Sequence, residues 1–303
     1  MSLEPATTRC GFVALIGAPN AGKSTLINAL VGAKVSIVSR KVQTTRRQLR
    51  GIALRDQAQI IFVDTPGIFK PKRRLDRAMV ASAWGGAGDA DVVALLIDAR
   101  KGLDEEAREI MAKLGETRHP RVLVLNKIDL VERSRLLELS EKANALLQFE
   151  ATFMVSALNS DGLDRLLDHL AGRMKPGPWL YPEDQVSDAP LRDLAAEITR
   201  EKLFERLHDE LPYQLTVETD SWKELPDGSA RIEQTIFVTR EGHRKIVIGE
   251  GGKNLKAVGS AARREISEAA EQKIHLFLFV KVREKWTDDP ERYREMGLEF
   301  PKD

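Results

Sequence analysis

Cysteine is nearly missing from this chain: Cys10 is the single one in 303 residues. One thiol can form no internal disulfide and no cysteine metal cluster, which fits a reducing compartment. Excess charge of one sign is missing too. Lysine and arginine number 47 against 46 aspartates and glutamates. The whole chain is therefore neither polycation nor polyanion, and any nucleic-acid surface must be a local patch. No apolar run approaches the about 18 residues that a membrane span needs. The first residues carry Glu4 and Arg9 without an apolar segment, unlike a signal peptide. A cytoplasmic location is expected. His119, His169, His208, His243 and His275 show no metal-ligand spacing. What is present is a globular composition, 42% hydrophobic and 31% charged, with a length suited to two domains.

The first half alternates apolar strands and helices. Strands are expected at Phe12 to Ile16, Leu49 to Arg55, Gln59 to Asp64, Val92 to Ile97, Val122 to Leu125 and Phe153 to Val155. Most are too apolar for a half-exposed sheet, which predicts buried parallel strands with helices on both faces. Helices are expected at Lys23 to Val31, Asp104 to Leu114 and Ser134 to Leu147. The pattern breaks at Lys175-Pro176-Gly177-Pro178, so we read residues 1–178 as one domain and 179–189 as a linker. Residues 190–303 follow in the order helix, strand, strand, helix, helix, strand, an α+β domain. Asp188 is the expected cap of its first helix.

Three motifs carry chemistry. Gly17-Ala18-Pro19-Asn20-Ala21-Gly22-Lys23-Ser24 fits the phosphate-cradling pattern G-x-x-x-x-G-K-[ST], between a strand and a helix as its mechanism requires. Lys23 is expected at the β- and γ-phosphates and Ser24 at Mg²⁺. Asn20, Ala21, Gly22 and Thr25 complete the expected phosphate contacts. Asp64-Thr65-Pro66-Gly67 ends an apolar strand, placing Asp64 to hold Mg²⁺ and the Gly67 amide to sense the γ-phosphate. Asn126-Lys127-Ile128-Asp129 ends another. The Asp129 carboxylate can accept both N1–H and the exocyclic amine of guanine, a donor pair adenine lacks. Lys127 can lie along the base, and Asn126 can tie the pocket to the glycine loop. Ser156-Ala157-Leu158 can offer an amide to the guanine carbonyl. Together these point to a GTP-binding switch.

Between the first two motifs runs a basic segment with Arg40, Lys41, Arg46, Arg47 and Arg50. Within it Thr45, in preference to Thr44, is expected to complete the Mg²⁺ shell. Lys23, Thr45 and Gly67 are the expected catalytic set. Many small GTPases place a water-orienting glutamine after the Asp-x-x-Gly glycine. Ile68 stands there and cannot polarise water. A K⁺ ion held partly by Asn20 is the expected substitute source of positive charge.

The second domain holds Ile248-Gly249-Glu250-Gly251-Gly252, a G-x-x-G loop between two helices. Such a loop lets a nucleic-acid backbone approach an apolar groove for about four unpaired nucleotides. The domain from Pro190 counts 20 lysines and arginines against 23 acids. Residues 240–264 reverse that balance, with seven basic residues against Glu241 and Glu250. A basic loop on an acidic domain suggests a specific RNA site at Arg244, Lys245, Ile248, Gly249, Glu250, Gly251, Gly252, Lys253 and Lys256.

With these motifs in place, the chain resembles the Era family of bacterial GTPases with a C-terminal KH domain, within the TrmE-Era-EngA-like superfamily. The markers are the phosphate loop, Gln43-Thr44-Thr45-Arg46, Asp64-Thr65-Pro66-Gly67-Ile68, Asn126-Lys127-Ile128-Asp129, Ser156-Ala157-Leu158, Ile248-Gly249-Glu250-Gly251-Gly252 and the tail Val280-Lys281-Val282-Arg283-Glu284-Lys285-Trp286. The resemblance implies a Ras-like P-loop GTPase domain followed by a type II KH domain. It implies GTP hydrolysis, binding of the single-stranded 3′ end of 16S ribosomal RNA, and a part in maturing the small ribosomal subunit. It also implies loose inner-membrane association for some members, although no amphipathic anchor stands out here. The family often has lysine where Glu250 stands, so contact with one phosphate is expected to be weaker. In the leading expectation GTP orders the Thr45 and Gly67 segments and repositions the KH module. The alternative is a constitutive RNA-binding assembly factor with nucleotide as a structural ligand. No stable protein partner is deducible.

Overall fold

The computed structural model describes residues 8–39, 41, 44–46, 48–71, 73–208, 211–284, 290–295 and 297–301. Arg40, Gln43, Arg47, Lys285 and Trp286, named above, lie outside the described residues. The chain divides into two compact units: residues 1–36, 45–188 and 296–303, and residues 37–44 and 189–295.

The first unit is a sheet flanked by helices. Its elements run β1 (Arg9–Gly17), α1 (Lys23–Val31), β2 (Leu49–Arg55), β3 (Ala58–Asp64), α2 (Arg74–Gly88), β4 (Val92–Asp98), α3 (Glu105–Gly115), β5 (Arg121–Asn126), α4 (Arg133–Leu146), β6 (Ala151–Val155), α5 (Leu163–Arg173) and β7 (Lys175–Pro176). The strand order is β2-β3-β1-β4-β5-β6. β3, β1, β4, β5 and β6 are mutually parallel, and β2 runs antiparallel to β3. β3 and β4 are buried at every residue, which is why they read as continuous apolar runs. One core cluster brings Ala14, Leu95, Leu123 and Leu125 of the sheet against Ile110 and Leu114 of α3 and Leu136 of α4. The parallel strands deliver their carboxyl ends to one edge, where ligands bind in open α/β sheets.

Residues 175–188, which include all but the last residue of the stretch read as a linker, are bonded along this unit. β7 pairs antiparallel with the start of β1. The buried Gln59 side chain then acts like a piece of strand backbone: its Oε1 accepts the amides of Leu180 and Tyr181 at 2.9 and 3.0 Å, and its Nε2 donates to the Tyr181 carbonyl at 2.8 Å. Ser187 bridges to Gly51. The expected capping role of Asp188 is not what the structure shows. Its carboxylate accepts the Arg50 amide at 3.1 Å, and Pro190, without a side-chain cap, occupies the helix start.

The second unit contains α6 (Leu191–Arg206), β8 (Leu215–Glu224), β9 (Ala230–Val238), α7 (Glu241–Ile248), α8 (Lys253–Ala269), β10 (Ile274–Val282) and α9 (Pro290–Glu295). The sheet order is β10-β9-β8, with β9 parallel to β10 and antiparallel to β8. Residues 37–44 belong to this unit. Ile37 is buried in a cluster with Ala195, Ile198, Ile232 and Ile266. The Val38 amide donates to Glu201 Oε1 at 2.6 Å. Lys41 donates to the carbonyls of Phe204 and Leu207 at the end of α6, where a helix favours a cation. Arg200 donates to the Thr44 carbonyl.

At the centre of the unit, Thr199 on α6 donates to the Gln234 side chain on β9 at 2.6 Å, with both residues fully buried. Thr199→Val leaves that amide oxygen unpartnered in the interior. It should lower stability by about 1–3 kcal/mol in urea unfolding.

Candidate nucleotide and RNA sites

The nucleotide-site residues gather where β1, β3, β4, β5 and β6 end. The loop after β1 curls through left-handed backbone at Asn20 (φ 62) and Gly22 (φ 97). A Cβ on Gly22 would lie 2.3 Å from Asn126 Nδ2, so glycine is needed for conformation and for space. Asn126 is 1% exposed. Its Nδ2 donates to the Ala21 carbonyl at 3.0 Å, and its Oδ1 accepts the amides of Lys127 at 2.8 Å and Ala157 at 3.1 Å. One side chain thus ties the glycine loop to the ends of β5 and β6. Ser156 Oγ donates to Asp129 Oδ1 at 2.6 Å and orients that carboxylate. Leu158 is 78% exposed beside them.

The phosphate side is built on a buried charge pair. Lys23 begins α1, and its ammonium donates to the carbonyls of Gly17 and Ala18 at 3.0 and 3.1 Å. Burial pulls its pKa down to about 8, against the opposing pull of the Asp64 charge. Burial pushes the Asp64 carboxyl up, while Ser36, Lys23, Ser24 and Thr45 hold it down. Asp64 Oδ2 accepts from Ser36 at 2.7 Å, Ser24 at 3.1 Å and Thr45 at 3.5 Å. Ser24 and Thr45 stand 3.1 Å apart. Asp64 Oδ1 is buried and has no hydrogen-bond partner among the described residues. A carboxylate with one oxygen open, beside two hydroxyls, is the donor set a hard divalent cation takes. The residues therefore fit Mg²⁺. Ile68 is 7% exposed in the core cluster, and its amide donates to the Gly17 carbonyl at 3.1 Å. A buried isoleucine there cannot orient water.

Sequence reading missed three residues of this site. Ser36, 4% exposed, completes the hydroxyl set on Asp64. Asn28 on α1 holds it in place, accepting the Val35 and Ser36 amides at 2.9 Å and donating to the Ser36 carbonyl at 2.7 Å. Asp98, at the end of β4, accepts the Lys127 ammonium at 2.7 Å. None of the three stands in a motif. A polar residue closing an apolar strand was the available signal for Asp98.

In the second unit, the loop between α7 and α8 passes through three glycines of positive φ, Gly249, Gly251 and Gly252. A Cβ on Gly249 would meet the Asn254 backbone nitrogen at 3.0 Å. Asn254 closes the loop by donating to the Ile246 carbonyl at 3.0 Å. Arg244, Lys245, Glu250, Lys253 and Lys256 are exposed around it, and Ile248 and Gly252 are half-buried. Arg244 pairs with Glu241 at 2.8 Å. Val258 on α8 is buried in the core cluster of this unit, with Leu255 of α8 and Leu278 of β10 packed against it.

The family described as 50S ribosome-binding GTPase matches residues 12–127, and the KH domain family matches residues 210–287. GTPase Era of Afipia carboxidovorans is 67% identical over 296 residues, covering 98% of this chain and 96% of that protein. GTPase Era of Bradyrhizobium diazoefficiens is 65% identical over 299 residues, covering 99% and 97%. The crystal structure of an Aquifex aeolicus Era variant bound to GDP and aluminium fluoride matches with a TM-score of 0.90 at 36% identity, covering 96% of this chain and 99% of that one. The crystal structure of Era in complex with MgGDPNP and nucleotides 1506–1542 of 16S ribosomal RNA matches with a TM-score of 0.89 at 37% identity and the same coverage.

The lowered Lys23 pKa has a measurable consequence. Between about pH 8 and the ordinary lysine value, the unfolded chain holds a proton that the folded chain has released. Stability of the nucleotide-free protein gains from this group as pH rises through that window. Phosphates favour the ammonium and draw the proton back. Guanine-nucleotide affinity should therefore fall as pH rises above about 8, with proton uptake on binding approaching one. Calorimetry in buffers of different ionisation enthalpy measures both.

Proposed function

The chain belongs to the Era family of GTPases, and from that membership we propose that it couples GTP binding and hydrolysis to capture of the 3′ end of 16S ribosomal RNA during small-subunit maturation. The observation that carries this reading is the Asn126 linkage, which joins phosphate loop, base-reading strand and the Ser156-Ala157 turn into one pocket. Asp129 reads the guanine edge, and the Ser156-Ala157-Leu158 turn offers a backbone amide to the guanine carbonyl. Lys23 neutralises the β- and γ-phosphates, and the Gly67 amide senses the γ-phosphate. Ser24, Thr45 and Asp64 would hold Mg²⁺, which offsets phosphate charge when bound. Asn20 would take part in holding K⁺, supplying the positive charge that Ile68 cannot arrange through water.

The RNA partner meets the second unit at the glycine loop. Gly249, Gly251 and Gly252 let a nucleotide backbone come close, while Arg244, Lys245, Lys253 and Lys256 meet its phosphates. Ile248 adds apolar surface. Glu250 lowers the charge at one phosphate. Thr45 follows directly on residues 37–44, which group with this second unit, and Ile37 is buried in its core. No helix of the described residues is long and apolar enough to cross a membrane.

A short single-stranded RNA from the 16S 3′ end should bind more tightly with a GTP analogue than with GDP. Nucleotide-independent affinity favours the constitutive assembly factor instead. Gly251→Asp should leave GTP binding intact and weaken the RNA by about tenfold or more, because it sets a carboxylate against the phosphates. GTP hydrolysis should run faster in potassium than in sodium buffer, with Asn20→Ala removing the difference; equal rates in both salts dismiss the K⁺ site.

A further inference from the structure

Of the three site residues that stand in no motif, one is a buried carboxylate. Asp98 ends β4, with its side chain 3% exposed. Its two oxygens do different work. Oδ1 accepts the Arg100 amide at 3.0 Å and shapes the turn that follows the strand. Oδ2 accepts the Lys127 ammonium at 2.7 Å. The Arg100 guanidinium is also 3.6 Å from Oδ2, but that side chain is 59% exposed and screened by water. Lys127 is the closer and better shielded partner, 26% exposed.

The contact extends beyond the pair. The same ammonium donates to the Asn20 carbonyl at 2.6 Å. Asn20 and Lys127 both hold left-handed backbone, φ 62 and φ 67, which residues other than glycine adopt only when their surroundings impose it. β4 and β5 place Asp98 opposite Asn126, one residue before Lys127, so the carboxylate is carried to the lysine by sheet register alone.

We infer that Asp98 is a positioning residue for guanine-nucleotide binding. Its carboxylate fixes the Lys127 side chain along the place the purine face occupies, and through that ammonium it holds the Asn20 bend of the phosphate loop. This rests on the guanine-nucleotide reading of the pocket. The physical reason is preorganisation. A free lysine stem rotates about several bonds, and a ligand that must freeze them loses affinity. Asp98 freezes them beforehand. It touches neither base nor phosphate, so its effect on the ligand runs through Lys127.

Asp98→Asn separates the two roles. The side-chain carbonyl still accepts the Arg100 amide, while the charge facing Lys127 is gone. Fluorescent GDP and IDP binding would be measured for wild type, Asp98→Asn, Lys127→Ala and the double variant. Asp98→Asn should weaken GDP about tenfold and IDP by the same factor, because Asp129 reads the base edge independently. In the Lys127→Ala background the same change should cost less than about twofold, since the two residues act as one unit. Equal losses in both backgrounds, or a loss for GDP alone, overturn the proposal. Circular dichroism checks folding. Asp98→Ser, with a hydroxyl acceptor for the Arg100 amide, replaces Asp98→Asn if that variant does not fold. If neither neutral variant folds while Lys127→Ala does, Asp98 belongs to the fold and the proposal is overturned. Wild-type protein that fails to bind GDP defeats the pocket assignment itself, so the two failures are told apart.

Discussion

The nucleotide-binding unit depends on one amide side chain. Asn126 sits at the end of the β5 strand and reaches the glycine loop with its nitrogen and the β6 turn with its oxygen. At 1% exposure the side chain itself has no water to turn to. Losing it would strand the Ala21 carbonyl and the Ala157 amide in the interior, each a desolvation cost of about 1–3 kcal/mol. The constraint also runs backwards into the sequence. Because Asn126 Nδ2 occupies the space beside the loop, position 22 has no room for a side chain. Two motifs separated by over a hundred residues are thus parts of a single packing problem.

The Lys23–Asp64 arrangement follows a different logic. Both groups are desolvated, and both charged forms are disfavoured by it. Hydroxyls from Ser24, Ser36 and Thr45 offset the cost for the carboxylate, and loop carbonyls offset it for the ammonium. Buried charge of this kind contributes little net stability. Its value is chemical: it keeps a cation and an anion ready for partners of opposite sign.

Much of this was legible from residue order alone. The phosphate loop, the strand ending at Asp64 and the Asn126-Lys127-Ile128-Asp129 run announce themselves because a backbone cradle and a base edge need fixed residue types at fixed spacings. The order of elements in the second unit was legible for a similar reason, through alternation of period two and period 3.6. Other parts were not. Helix α2 carries Gly85, Gly86 and Gly88, which blur its helical signal. Helix α5 shows Leu163, Leu166 and Leu170 on one face and could have been read. The run around Pro176 and Pro178 reads as a loose connection because local composition says nothing of Gln59, more than a hundred residues earlier, whose side chain binds Leu180 and Tyr181. Ser36 and Asp98 matter only through what they touch, and touching is a property of the folded chain.

The assignment of residues 37–44 to the second unit, and of 296–303 to the first, means that the polypeptide passes from one unit to the other at four places: 36/37, 44/45, 188/189 and 295/296. A gene cut at the proline-rich stretch would therefore not yield two intact modules. The amino-terminal fragment would keep Ile37 without the apolar cluster that covers it, and the carboxy-terminal fragment would lose that same plug from its core. Dissecting this protein into halves removes structure from both.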